Sequence, residues 1–242
     1  MHEALSGELI QTPVVRCAAI EAVIGGDTEV TAKLEFLQRT GTFKARGALG
    51  TLRNLSPEQL AAGVTAVSAG NHAIATAFAA RAMGTTAKVV MMKSANPARV
   101  QACREYGAEV VHADNVHVAF DVVERIQREE GRYFLHPFEG PGVALGTGTL
   151  GLEIWEQVSD LEALIVPIGG GGLIAGIAAY VKAVRPEIRV IGVEPDEAPC
   201  MTEALKRKRR VVLDQVGIFV DGVAVRQAGK EPYRLARKYV DD

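Results

Sequence analysis

Short runs of β-branched and other apolar residues alternate along the middle of the chain with stretches whose apolar residues recur every three or four positions. That is the pattern of parallel strands linked by covering helices. Residues 64–68 form the first strand candidate, followed by an alanine-rich helix over 71–83 that carries Ile74, Ala77, Phe78 and Arg81. A strand over 87–91, a helix over 96–106 opened by Pro97, and a strand over 109–112 come next. Asn115 then caps a helix running to residue 130, with Val118, Val122, Val123 and Ile126 on its apolar face. The second half continues with a helix over 142–155, a strand over 164–168, a helix over 173–183 and a strand over 190–193. Residues 137–142, with two prolines and two glycines, mark the crossing between two domains.

Composition narrows the class without changing that picture. Of 242 residues, 48% are hydrophobic and 23% charged, so the chain can bury a core and is not of the disordered type. Lysine plus arginine number 27 and aspartate plus glutamate 29, a net charge of -2, which leaves no overall basic field to attract nucleic acid or an anionic membrane. Cys17, Cys103 and Cys200 are too few and too widely spaced for a disulfide framework or a paired-cysteine metal site. That cysteine usage points to a reducing cytoplasm as the expected location, and the N-terminus, with Glu3 and Glu8, lacks the basic start and apolar run of a secretory signal. Residues 163–181 are free of charge and approach the ~20 residues of a spanning helix, but Pro167 and four consecutive glycines interrupt them. They read as strand, glycine loop and helix, not as a membrane span.

Three features carry chemistry. Gly169-Gly170-Gly171-Gly172, with Leu173 behind it, joins a strand to a helix and so offers free N–H groups and a positive helix end to an anion such as phosphate. Neither G-x-G-x-x-G nor G-K-[ST] is present, which turns the reading away from dinucleotides and nucleoside triphosphates. The bland alternative is a tight turn in which glycines only permit close packing. Lys44 follows Phe43 where loop turns to helix, a place where desolvation lowers an amine's pKa, as a Schiff-base lysine requires. Ser68-Ala69-Gly70-Asn71-His72 spans a second strand-to-helix junction suited to a carboxylate; blandly, Asn71 is a cap and His72 a first-turn residue.

Taken together, in this order and at these separations, the stretch from Gln38 to Ala48 around Lys44, the Ser-Ala-Gly-Asn-His loop and the tetraglycine loop resemble the serine/threonine dehydratase group of pyridoxal-phosphate enzymes. Residues 136–141 (HPFEGP), 192–195 (GVEP) and 221–225 (DGVAV) add to the resemblance. It implies a two-domain, three-layer α/β fold of the tryptophan-synthase-β type. A smaller domain over 48–137 is then inserted in a larger cofactor-binding domain made of 1–47 and 138–242. It also implies roles. Lys44 would hold the cofactor and act as general base, Phe43 would pack near its ring, and Asn71 would bond its phenolic oxygen. Gly169 to Gly172 with the Leu173 N–H would cradle the phosphate. Ser68, Ala69, Gly70, Asn71 and His72 would bind the substrate carboxylate, with Gly222 on the far wall. The implied reaction is β-elimination from a β-hydroxy amino acid such as L-threonine or L-serine, giving a 2-oxo acid and ammonia, in an expected homodimer.

Smaller signals bear on the subgroup. Cysteine-synthase relatives carry threonine where His72 stands, and racemase relatives a serine where Ala69 stands; alanine cannot return a proton, which favours lyase over racemase. Many threonine dehydratases carry a second acid where this chain has Gly140, so hydroxyaspartate-type substrates stay open. Cation-binding relatives use a Glu-Pro like Glu194-Pro195 and a later aspartate. Here Cys200 takes that place, and no metal site is expected. Relatives continue beyond the equivalent of Asp242, so the chain is expected to be C-terminally shortened, with a truncated binding or partner protein as the alternative function. The run Lys206-Arg207-Lys208-Arg209-Arg210 could contact nucleic acid or an acidic partner, but without interleaved aromatics it reads as a solvated helix end and turn.

Overall fold

The computed structural model describes residues 1–217 and 219–242. A short helix α1 (His2–Leu5) leads to an antiparallel ribbon of β1 (Val14–Arg16) and β2 (Thr31–Lys33), joined through α2 (Ala18–Ile24). Strands of three residues are too short to show an alternation, and the sequence pattern did not disclose them. A 3-10 turn, Glu35–Leu37, then passes into α3 (Lys44–Leu52).

After α4 (Pro57–Ala62) come β3 (Val64–Val67), α5 (Asn71–Ala82), β4 (Ala87–Met92), α6 (Pro97–Glu105), β5 (Glu109–Ala113), α7 (Val116–Glu130) and β6 (Tyr133–Phe134). The four strands make an all-parallel sheet in the order β5-β4-β3-β6, with Val64 opposite Ala87 and Tyr133, and Lys88 opposite Glu109. Alternate residues of β4 go to opposite layers, as the two-residue period of a strand demands. Val89 and Met91 join the core shared with α5 and α6, whereas Val90 joins Ala119, Val123 and Ile126 of α7. The sheet is therefore covered on both faces, which explains why Val64, Thr65 and Ala66 are all fully buried.

The remainder runs α8 (Pro141–Gln157), β7 (Ala163–Pro167), α9 (Gly172–Val184), β8 (Arg189–Val193), α10 (Cys200–Lys206), a 3-10 turn Asp221–Val223, and α11 (Lys230–Tyr239). β7 and β8 are parallel neighbours, from Ala163 opposite Arg189 to Pro167 opposite Val193. α8, α9 and α11 pack around a second core of Leu150, Ile154, Ile174, Ile177, Val190 and Met201. Among the described residues no helix is long and apolar enough to cross a membrane.

Local side-chain signals set some of the boundaries. Asn115 Oδ1 accepts from the His117 and Val118 N–H groups, and Asn96 Oδ1 from that of Ala98 with Pro97 in the first turn. His112 lies exposed on β5, three residues before the Asn115 cap.

α3 reaches α8 by backbone contact. A Cβ at Gly50 would stand 2.5 Å from the Gly142 carbonyl oxygen, and one at Gly146 would stand 2.0 Å from that of Arg46. Only glycine allows this approach, which packs α3 along the first half of α8.

Candidate active site

Lys44 is the first residue of α3, and the start of a helix is a poor place for a cation. Its Nζ donates to the Pro137 carbonyl oxygen at 2.8 Å and lies 5.2 Å from the centre of the Phe43 ring. Burial brings its pKa from 10.5 down to about 8, so a free amine is accessible near neutral pH. A small pocket gathers Lys44 and Phe43 with His72, His136, Thr147 and Gly172. Residues far apart in the chain thus meet at one point.

The glycine loop approaches this cavity through Gly172. The N–H groups of residues 169–174 donate to no described group, and three of them open the 13-residue α9. Such a cluster at a helix start is built for an anion. The loop is also a close-packed turn. A Cβ at Gly170 would meet the Phe138 ring at 2.2 Å, and one at Gly172 would meet Phe138 Cα at 2.9 Å. Gly171 has φ +90° and would strike Met201 and Pro232 within 3 Å. The glycines are thus required for close packing, and that packing uses the Cα side and leaves the N–H groups free. Thr147 donates to the Gly172 carbonyl oxygen at 2.8 Å, tying the loop to α8.

Ser68 to His72 makes a second cluster. Ser68 Oγ accepts from the Gly70 N–H at 3.1 Å, while the N–H groups of Ala69, Asn71 and His72 donate to no described group. Arg99 reaches over from α6, its Nη1 lying 3.2 Å from where a Gly70 Cβ would be. The His72 ring is committed elsewhere: its Nε2 is 2.8 Å from the Leu135 carbonyl oxygen, and burial together with the nearby Lys44 charge lowers its pKa to about 3. It is neutral and donates from Nε2. Asn71 opens α5 with an exposed side chain.

Gly222 stands apart from this group, exposed in its 3-10 turn with open space where a Cβ would be, whereas Val223 beside it backs Gly169 at 3.0 Å. The two oxygens of Glu194 accept from the Met201 and Thr202 N–H groups at 2.8 and 2.7 Å, which makes this carboxylate the cap at the start of α10. Cys200 lies beside it, its thiol pushed up to about 12 by burial and by the Glu194 charge. Among the described residues no three His, Cys, Asp or Glu side chains cluster to hold a metal. Glu139 likewise caps α11, accepting from the Lys230 and Glu231 N–H groups. Arg207 pairs with Glu203 at 3.0 Å and Arg210 with Gln227 at 2.8 Å, as befits a helix end and turn.

Sequence reasoning missed His136, Thr147, Arg99 and Arg46. Arg46 is fully buried, bonded to Glu35, Glu153 and Thr149 at 2.7–3.1 Å, and anchors the helix that begins with Lys44. An arginine inside an otherwise small-residue helix was the one available signal.

These residues fit pyridoxal phosphate. The free N–H groups of the glycine loop suit its phosphate, the Lys44 amine its aldehyde, and Phe43 its ring. The model of the pyridoxal-phosphate dependent enzyme family matches residues 5–242. The chain is 50% identical over 230 residues to the phenylserine dehydratase of Ralstonia pickettii, covering 95% of this chain and 70% of that protein. It is 40% identical over 242 residues to the L-threonine ammonia-lyase of Thermotoga maritima, covering all of this chain and 60% of that protein. The solved structure of maize serine racemase superimposes with a TM-score of 0.94 at 33% identity, over 100% of this chain and 73% of that one. The fold is thus the tryptophan-synthase-β type that the motifs imply.

Proposed function

The chain belongs to the family of pyridoxal-phosphate-dependent enzymes, and from that premise we propose that it eliminates water from a β-hydroxy-α-amino acid to yield a 2-oxo acid and ammonia. One observation carries the reading: a lysine amine titrating near 8 opens into the same cavity as a glycine loop with unengaged N–H groups. When bound, the cofactor supplies an aldehyde that captures the substrate amine and an electron sink for charge developing at Cα.

The chain's own residues do the rest. Gly169 to Gly172 and the Leu173 N–H hold the phosphate, with the α9 helix end adding favourable charge. Phe43 packs beside the ring. The Ala69, Asn71 and His72 N–H groups hold the substrate carboxylate, which orients the Cα–H bond toward Lys44. The neutral Lys44 Nζ, aimed by the Pro137 carbonyl, takes the Cα proton. Ala69 carries no group able to return a proton from the opposite side, which supports elimination over racemisation. L-Threonine and L-serine are the first substrates to test, and the relative named phenylserine dehydratase makes phenylserine the third. We place the enzyme in the cytoplasm as a homodimer; Val23 and Phe36, 87% and 66% exposed, support a protein partner for the N-terminal region.

The test is the visible spectrum of the chain with pyridoxal phosphate, combined with 2-oxo acid release. The band is expected to be bleached by borohydride, with the label mapping to Lys44. Lys44→Ala is expected to lose both the band and turnover; a fully active Lys44→Ala variant would overturn the reading.

A further inference from the structure

His136 lines the cavity beside Lys44, yet the elimination as described gives it nothing to do. Its surroundings define its chemistry. Nδ1 accepts the N–H groups of Phe138 at 3.3 Å and Glu139 at 3.0 Å. A ring nitrogen that accepts two N–H groups has its lone pair in use and carries no proton, so the single proton of the neutral ring sits on Nε2. The ring plane is set by edge-to-face contacts with Phe138, centroids 4.5 Å apart, and with Phe134 at 5.9 Å. No described residue accepts from Nε2. The next residue, Pro137, is the one whose carbonyl holds Lys44 Nζ, so the amine and the imidazole hang from one dipeptide.

The charged and titratable neighbours keep the ring neutral. Burial lowers its pKa; the Glu139 charge opposes this, and the Lys44 and Arg210 charges reinforce it. A neutral imidazole with Nδ1 so engaged is a fixed donor. It would have to become an anion to give its proton away, so it serves hydrogen bonding without proton transfer.

We propose that His136 Nε2–H donates a hydrogen bond to the β-oxygen of the substrate as the Cβ–O bond breaks. The inference rests on the lyase reading above. In the step, the Cα proton passes to Lys44 Nζ, the electron pair it leaves forms the second Cα–Cβ bond, and the Cβ–O electron pair leaves with oxygen. That oxygen takes the proton from Lys44 and departs as water, while His136 ends with the proton it began with. Its contribution is to stabilise the charge growing on the leaving oxygen, from a donor already oriented before the bond breaks.

The test compares two substrates that differ in their need for this help: L-serine, whose leaving oxygen must be stabilised, and β-chloro-L-alanine, whose chloride leaves unaided. His136→Asn keeps an acceptor for the Phe138 and Glu139 N–H groups and removes the distal donor; His136→Gln restores a donor at about the Nε2 position. Turnover of serine by His136→Asn is expected to fall on the order of 10²-fold, with β-chloroalanine turnover within about twofold of wild type and partial recovery for serine in His136→Gln. Equal losses on both substrates, or no loss on either, overturn the role of His136 while leaving the lyase reading intact. A wild-type chain inert toward both substrates sinks the lyase reading and this inference with it. Nitrogen-15 NMR of the wild-type chain gives a readout independent of turnover: a protonated Nε2 and a bare Nδ1 are expected, and the opposite tautomer overturns the proposal.

Discussion

Arg46 and Glu153 are joined by two parallel hydrogen bonds, Nη1 to Oε1 at 2.7 Å and Nη2 to Oε2 at 2.9 Å, with both side chains almost fully withdrawn from water. The pair links α3 to α8, and Glu35 closes on the other edge of the guanidinium at 2.8 Å. Lys33 adds a 2.7 Å bond to Glu153. Because Lys44 begins the helix that Arg46 anchors, this network holds the amine's helix in place.

Breaking one partner of a buried pair strands the other's charge. Glu153→Gln is therefore expected to cost about 3–5 kcal/mol in a urea melt. Burial alone would raise the Glu153 pKa, but the bonds and charges of Arg46 and Lys33 hold it below its usual 4.5. The unfolded carboxylate then takes up its proton first as pH falls, so the stabilisation is present above 4.5 and is lost on acidification through the lower folded value. The variant should lose that part of the wild-type acid sensitivity.

Lys44 titrates in the other direction. Its folded pKa of about 8 lies below the ordinary 10.5, so the free amine that condenses with an aldehyde becomes available as pH rises through 8. The rate at which the visible band forms should show a midpoint near 8. A midpoint near 10.5 would mean that the lysine is solvated.

Two glycines of α8 should respond oppositely to a methyl group. At Gly146 a Cβ would meet the Arg46 carbonyl oxygen at 2.0 Å, so Gly146→Ala is expected to destabilise by about 1–3 kcal/mol through forced backbone displacement. At Gly148 the nearest atom is 3.5 Å away, an ordinary contact. Gly148→Ala should be neutral or gain up to about 1 kcal/mol from helix propensity. Thermal melts of the two variants check the contrast.

Arg99 lies against Gly70 in the loop assigned to the substrate carboxylate, and among the described residues no carboxylate pairs with it. Removing this cation should weaken amino-acid binding and spare the cofactor. Arg99→Gln is expected to raise the KM several-fold, a loss on the order of 1 kcal/mol as for one charge-assisted contact, with unchanged affinity for pyridoxal phosphate. A fall in kcat alone would argue against it.

Much of this architecture was open to reading in one dimension. The strands at 64–67, 87–92 and 109–113 and their covering helices follow from apolar periodicity and from caps such as Asn96 and Asn115. The ribbon of Val14–Arg16 and Thr31–Lys33, and the two-residue strand Tyr133–Phe134, were not visible, because each is specified by the neighbour it pairs with and not by its own pattern. Lys44, the Ser68 to His72 loop and the tetraglycine loop stood out as local motifs. Gly222 came only from the resemblance; it lies exposed in its turn, beside the Val223 that packs on Gly169.

The sequence by itself determined the alternation of strand and helix, the loops with free N–H groups at two helix starts, and the lysine at the start of a third. These are properties of short segments, set by side-chain period and backbone chemistry. Only the tertiary structure decided that the Pro137 carbonyl aims Lys44, that His136 is a fixed neutral donor, and that Arg46 is a buried anchor instead of a surface charge. Each depends on groups distant in the chain being brought within hydrogen-bond reach, where burial sets which nitrogen carries a proton.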